Sequence, residues 1–424
     1  MMPSKKSVDA FQIAEAFVEA NSIHLEPCLR YWNGEWYRWN GRAYGTVAVD
    51  VVKKLLLTYL QKSRTSTSRS AINAVLDMAK LQVLVEDVTA PSWLSGSSPY
   101  PADEIVAARN GLLHLPTSLL GQSTLLPHTP ALFTLNALGY RYEEAAACPR
   151  WEQLLAQIWP KDVESIRTLQ EWFGYALLPD TRQQKLLMLI GPPRSGKGTI
   201  ARVLRMMLGE ANVASPMMRS LSGSFGLWGL LGKLLAIVPD ASEARASNGL
   251  VELVKCLTGE DALDVDRKNL APMSSVRLTT RLMIIANQPP ILADSSGAIG
   301  HRIIALETRR SWAGKEDVPL TGKLMSELPG ILRWSMEGWR RLNDRGHFQQ
   351  PRSSQELVER YKGMPSVNVP NTIYRVQRAT VPNVGLRSGD GSIHITIECG
   401  ERRRLRHKRR KRRERRTSTG QRKW

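Results

Sequence analysis

Cysteine is scarce in this chain: Cys28, Cys148, Cys256 and Cys399 stand far apart in 424 residues. They form no Cys-x-x-Cys pair and no Cys/His spacing of a zinc site. That excludes a disulfide framework and fits a reducing, cytoplasmic compartment. Long apolar runs are missing too. None approaches the roughly 18–20 residues that cross a bilayer, so no membrane partner is expected. The N-terminal stretch Met1-Met-Pro-Ser-Lys-Lys6 leads into an amphipathic segment, which argues against a secretory signal. There is no internal repeat with a period of roughly 20–50 residues. Acidic residues are also in short supply, 39 Asp and Glu against 59 Lys and Arg, for a net charge of +20. The excess is uneven. Residues 401–424 hold fourteen Lys or Arg and two Glu, a net of +12, which leaves +8 for the other 400 residues. A mildly basic body with a polycationic tail is compatible with nucleic acid, but only the body is expected to carry specific function.

What is present is a phosphate-binding pattern. The apolar run Leu186-Leu-Met-Leu-Ile190 leads into Gly191, Pro192, Pro193, Arg194, Ser195, Gly196, Lys197, Gly198 and Thr199, and a helix-like stretch follows to Leu208. A strand that delivers a glycine-rich loop to a helix N-terminus makes a cradle whose backbone N–H groups point at phosphate oxygens. Gly191 and Gly196 permit the tight path, and Lys197 sets a positive charge against the terminal phosphates. The reading is a nucleoside triphosphate site. The usual hydroxyl residue directly after the lysine is missing, because Gly198 stands there and Thr199 follows one place later. Nucleotide kinases share this arrangement, so the loop alone does not choose between a kinase and a motor ATPase.

Further motifs follow in order. Lys233-Leu-Leu-Ala-Ile-Val-Pro-Asp240 is an apolar strand ending in a carboxylate, expected beside the phosphate loop as a magnesium anchor. Pro239 falls where that strand would end. No acid follows Asp240 directly, and Glu243 is the nearest candidate for a general base. Arg281-Leu-Met-Ile-Ile-Ala-Asn287 is a third strand, expected beside the Asp strand, with Asn287 able to hold the water or the γ-phosphate. Gly297-Ala-Ile-Gly-His-Arg-Ile-Ile304 sets Arg302 at the start of another strand, a candidate arginine finger for a neighbouring subunit's nucleotide. Between the second and third strands, alternation over 262–266, a charged turn at Arg267-Lys-Asn269 and apolar residues near Val276 and Leu278 predict a hairpin. Its basic tip, Arg267 and Lys268, suits the phosphates of a nucleic-acid strand, although a solvated charged turn is the plainer use.

Upstream, residues 8–20 predict a helix with Phe11, Ala14, Phe17 and Val18 on one face and Ser7 as its cap. Two Asn-Gly pairs, at 33–34 and 40–41, predict type I′ hairpins in a small β-meander. Trp32, Trp36, Tyr37, Trp39 and Tyr44 could stack on bases, but such aromatics more often fill the core of a tiny sheet. Helices are expected near 48–62, 71–86 and 149–178, the last stretch as a pair with Asp162 starting its second member.

In this order the motifs GPPRSGKGT, GKLLAIVPDA, LTGEDALDVDRKN, RLMIIANQPP and GAIGHRII resemble a superfamily-three helicase. The likeness is to the C-terminal part of phage and plasmid primase-helicases, related to the poxvirus primase-helicase. It continues through Trp312-Ala-Gly-Lys-Glu-Asp317 and Glu327–Trp334 and fades near residue 360. The resemblance implies an α/β P-loop NTPase, AAA+-like, with a mixed α+β N-terminal region and small helical segments. It implies a hexameric ring with ATP and Mg2+ between subunits, Lys197 on the phosphates, Asp240 on the metal with Thr199 as a further ligand, and Asn287 sensing the γ-phosphate. Arg302 would act in trans, and Lys268 would sit on a hairpin gripping DNA, single-stranded or forked. The expected divisions are 1–145 (α+β, leading from a primase-type module), 146–180 (collar-like helices), 181–310 (ATPase core), 311–362 (C-terminal helices) and 363–424 (a basic, disordered tail). No segment resembles a primase catalytic domain, so a primase is at most a partner. Two alternatives stay open: an ATP-binding DNA-assembly factor or degenerate remnant that does not unwind, and a nucleotide kinase.

Overall fold

The computed structural model describes residues 9–63, 68–96, 98–121, 125–221, 223–239, 245–246, 248–292, 298–315, 317 and 319–362. The described residues belong to one compact unit. Ser7, Asp240, Glu243 and the arginine-rich tail lie outside the described residues.

Helix α1 (Ala10–Ala20) is capped by Asp9, whose carboxylate accepts the Phe11 N–H at 3.1 Å. Ala14 and Phe17 are buried as expected, whereas Phe11 is half exposed. With α2 (Val49–Lys62) and α3 (Arg69–Gln82), α1 encloses an apolar core under a four-stranded sheet. The strands are β1 (Leu29–Trp32), β2 (Glu35–Trp39), β3 (Tyr44–Val47) and β4 (Leu84–Val85), in the order β3-β2-β1-β4. Asn33 and Gly34 both take positive φ, 49° and 82°, as a type I′ turn requires. The second Asn-Gly behaves differently. Four residues, 40–43, join β2 to β3, because the Asn40 side chain accepts the N–H groups of Arg42 and Ala43 and opens a wider loop. Among the aromatics, Tyr37 and Tyr44 are buried against Phe133 with Trp32 and Trp39 around them, and Trp36 is buried in the helical core. They fill cores rather than offer a stacking platform.

The paired helices are α4 (Pro149–Ile158) and α5 (Val163–Tyr175), the second capped by Asp162, which accepts the Ser165 N–H at 3.0 Å. Helix α5 crosses the long C-terminal helix Leu328–Arg345 closely enough that a Cβ at Gly174 would lie 2.3 Å from the Ser335 carbonyl oxygen. Glu171, almost fully buried in that crossing, is answered by Arg341 at 2.8 Å and Arg345 at 2.5 Å, so its charge is compensated. Trp151 and Trp172 are fully buried here, and truncating either to Ala would cost about 3–5 kcal/mol.

The centre is a five-stranded parallel sheet. Its strands are β5 (Leu186–Ile190), β6 (Val213–Ala214), β7 (Leu235–Val238), β10 (Arg281–Ala286) and β11 (Ile303–Glu307), with β8 (Ala262–Val265) and β9 (Met273–Arg277) forming a separate antiparallel hairpin. The order is β6-β7-β10-β5-β11. Alternate residues of β5 face different cores: Leu187 and Leu189 face one, Leu186, Met188 and Ile190 the other. Burial on both faces is why this strand reads as an unbroken apolar run. The larger core also takes in Val106, Leu113 and Tyr142, from chain that precedes the paired helices. Among the described residues no helix is long and apolar enough to cross a membrane.

Candidate functional site: a phosphate loop at the strand ends

In an open parallel sheet, ligands bind outside the carboxyl ends of the strands, where the connections diverge. Strand β5 is such a place, with β10 on one side and β11 on the other. At its end Gly191 is pinned against β11. A Cβ there would fall 2.1 Å from both the carbonyl oxygen and Oγ1 of Thr308, so only glycine fits. Gly196 (φ 92°) turns the chain into helix α6 (Lys197–Leu208), and a Cβ on it would come within 2.7 Å of Ile158. The helix starts two residues before Thr199, so Lys197 occupies its first turn.

The loop is braced from behind. Ser195, buried, shares a hydrogen bond of 2.7 Å with the Thr308 hydroxyl, and the Thr308 N–H donates to Ile190 at 2.7 Å. From outside, Ser311 donates its hydroxyl to the Pro193 carbonyl at 2.8 Å and Trp312 its N–H to Arg194 at 2.9 Å. The Lys197 ammonium folds over the loop, donating to the carbonyls of Gly191 at 2.6 Å and Pro192 at 2.8 Å. Gly198 faces open space, with nothing within 4 Å of a built Cβ. Beside it opens a cleft of about 880 Å³, lined by the loop, by Arg150, Gln153 and Gln157 of α4, by Asn287, and by Trp312, Lys315 and Asp317. That volume suits a ligand with a phosphate chain and a base. Backbone N–H groups, a helix N-terminus and an ammonium together can hold a polyphosphate.

Asn287 follows β10, next to β5, and lines the cleft. The expectation for the Asp strand needs correction. Strand β7 ends at Val238, with Pro239 just past it, but β10 lies between β7 and β5. Strand β7 therefore lies two strand spacings, roughly 10 Å, from the loop strand rather than directly beside it.

Arg302 lies at the opposite edge of the sheet, ending helix α8 (Ala298–Arg302) just before β11. Its guanidinium donates to the Lys255 carbonyl and the Thr258 hydroxyl, both at 2.9 Å, at the end of helix α7 (Asn248–Gly259). Strand β11 separates it from the loop by about 17 Å at 3.3 Å per residue, so it cannot serve this chain's own loop.

The hairpin forms as expected, but its two tip residues part company. Lys268 is exposed, whereas Arg267 is buried and turned inward. Arg267 donates to the Ala271 carbonyl at 2.8 and 3.0 Å and to the Asn33 carbonyl at 2.6 Å, with Glu35 3.8 Å away. Buried and bonded to carbonyls inside the chain, it is not placed as the phosphate contact that the sequence suggested. Thr308 and the α4 glutamines were not singled out from sequence. An apolar strand followed by Thr is too common a signal, and 113 residues separate Thr308 from Ser195.

Comparison with known proteins bears first on the fold. The chain shares its fold with solved structures described as the NrS-1 C terminal region. Three of them, two described as spanning residues 305–718, align with TM-scores of 0.50–0.52 at 12% identity, over 84–85% of this chain and 75–76% of theirs. Two family models then match parts of the chain. Residues 14–160 match the family described as "D5 N terminal like", and residues 189–302, with the phosphate loop's helix, Asn287 and Arg302, match a "Family of unknown function (DUF5906)".

Proposed function

We propose that this chain is the ATP-driven motor of a replicative DNA helicase, of phage, plasmid or integrated-element type, working as a ring of like subunits. The observation that carries the reading is the braced loop at the end of β5, with Lys197 at the start of α6 beside an open cleft. The strand order, with the Asn strand between the loop strand and the Asp strand, supports a motor ATPase. The match to a D5 N-terminal-like family and the fold of the NrS-1 C-terminal region support a role in DNA replication.

In this reading the loop's N–H groups and the α6 N-terminus hold the β- and γ-phosphates, and Lys197 exchanges its loop carbonyls for phosphate oxygens. Asp240 and the Thr199 hydroxyl would be the protein partners of Mg2+, which would neutralise phosphate charge when bound. Glu243 is the candidate base for the attacking water, and Asn287 orients that water or senses the γ-phosphate. Arg302 leaves the end of α7 to stabilise charge on the nucleotide of the next subunit, a role its distance from this chain's own loop is compatible with. Lys268 meets the DNA backbone.

The test is strand separation on forked DNA. Wild type should unwind it only with ATP and Mg2+. Binding and ring formation without unwinding would favour the assembly-factor reading instead. Mixing Lys197→Ala with Arg302→Ala protein should restore part of the ATPase that each lacks alone, because mixed rings contain intact composite sites. No recovery at any ratio would remove Arg302 from the mechanism.

A further inference from the structure

The inward turn of Arg267 joins two parts of the chain that lie far apart in sequence. Its guanidinium closes the hairpin turn on the Ala271 carbonyl and reaches the Asn33 carbonyl in the first turn of the N-terminal sheet. The approach is close, since a Cβ on Gly34 would lie 3.6 Å from Arg267 Nη2. The turn it grips belongs to a tightly packed block. Tyr37, on the strand after that turn, packs edge-on against Trp32 at 5.5 Å and Phe133 at 5.9 Å, and the Trp32 indole donates to the Val88 carbonyl at 3.0 Å. On the hairpin side, Val265 is fully buried two residues before Arg267, while Lys268 and Asn269 face solvent. Glu35 sits beside the guanidinium, so the positive charge presented outward at the tip is that of Lys268.

We propose that Arg267 is a positioning residue: a strut that fixes the hairpin to the N-terminal sheet, so that Lys268 meets a nucleic-acid backbone from a set direction and both elements move together. This rests on the helicase reading above. A guanidinium suits the task because its planar fork can serve two carbonyls on different elements at once, which a single ammonium cannot do in fixed geometry. If the strut transmits load, nucleic acid at Lys268 is felt at Asn33–Gly34, which carry no charge for it to touch.

The experiment measures ATP hydrolysis by the full chain against concentration of a thirty-nucleotide oligo-dT, each variant normalised to its own DNA-free rate. Arg267→Ala and Arg267→Lys should both raise the half-stimulating concentration about ten-fold, with the stimulated maximum still reachable. Adding Arg267→Ala to Lys268→Ala should change nothing further, because the strut acts through the lysine. A role in folding alone would make the double variant worse than either single one and would overturn the proposal. Hydrogen exchange on wild type gives an answer even if the variants misfold. Oligo-dT should slow exchange both at 266–272 and at 33–36, and protection confined to 266–272 overturns the strut. A wild-type ATPase indifferent to DNA overturns the helicase reading and the strut with it. Stimulation undiminished in Arg267→Ala overturns the strut alone.

Discussion

The two edges of the central sheet use positive charge in opposite ways. At the strand-end edge, Lys197 rests on the carbonyls of its own loop beside a cleft. At the strand-start edge, Arg281 and Arg302 cross-link the backbone. Arg281 donates to the carbonyls of Leu178, Asp180 and Leu234, stacks 4.7 Å over the Tyr175 ring, and is desolvated enough that burial pushes its pKa down. Arg302 closes the end of α7. The difference lies in what each cation faces. Carbonyls at the ends of helices and strands keep their places, so a guanidinium fully buried among them, that of Arg281, acts as a structural fastener. A glycine-rich loop beside a cleft lets an ammonium exchange its partners for a phosphate.

That contrast breaks most readily at Lys197. Lys197→Ala should lower ATP hydrolysis about a thousand-fold, as loss of a charge-stabilising donor does, with the thermal midpoint within about 2 °C of wild type. A calorimetric scan beside the assay decides it. If stability falls with activity, Lys197 is a fastener too and the comparison fails. Arg281→Ala should do the reverse. It strands several buried carbonyls and leaves a cavity, a loss of about 3 kcal/mol in urea unfolding, while the KM for ATP of the folded protein stays within about two-fold. Arg281→Met, which fills the space without the charge, should recover part of that loss. A KM that rises ten-fold in Arg281→Ala would mean the far edge is coupled to the site.

Thr308 tests whether the brace behind the loop matters as much as the cation on it. Thr308→Val keeps the shape but removes the hydroxyl that pairs with Ser195, leaving a buried oxygen with one partner fewer. A cost of about 1 kcal/mol, seen as a five- to ten-fold lower kcat/KM for ATP, is expected. An unchanged value would assign the bracing to the backbone bond from Thr308 to Ile190 alone.

These residues also mark where the sequence stops being legible. The nine-residue loop could be read directly, because a strand, two glycines, a lysine and a helix are neighbours in the chain and their chemistry is local. The hairpin, the Asn33–Gly34 turn and the α5 cap at Asp162 were readable for the same reason. Strand order was not, since nothing in the sequence tells that β10 inserts between β7 and β5. Nor was the direction of Arg267, whose partner Asn33 lies 234 residues away. A charged residue at a turn looks solvated until the fold brings a carbonyl to it. The aromatics of the N-terminal sheet show the converse: alternation marked them as sheet residues, but only Phe133, about a hundred positions on, makes Tyr37 and Tyr44 a core.

The smallest predicted effect concerns Gly198, where a motor ATPase loop usually carries the metal's hydroxyl. Packing does not demand glycine here, because a built Cβ meets nothing within 4 Å and the residue is not among the glycines of positive φ. The missing hydroxyl is therefore a chemical choice rather than a steric one, and restoring it should be tolerated. Gly198→Ser should leave stability unchanged to within about 0.5 kcal/mol, as surface substitutions do, and lower the Mg2+ concentration for half-maximal ATP hydrolysis two- to three-fold. A magnesium titration at saturating ATP reads this out. If the serine has no effect but Thr199→Val raises the magnesium requirement, the hydroxyl one residue later already does the work. If neither substitution moves the titration, hydroxyls at positions 198 and 199 take no part in holding the metal.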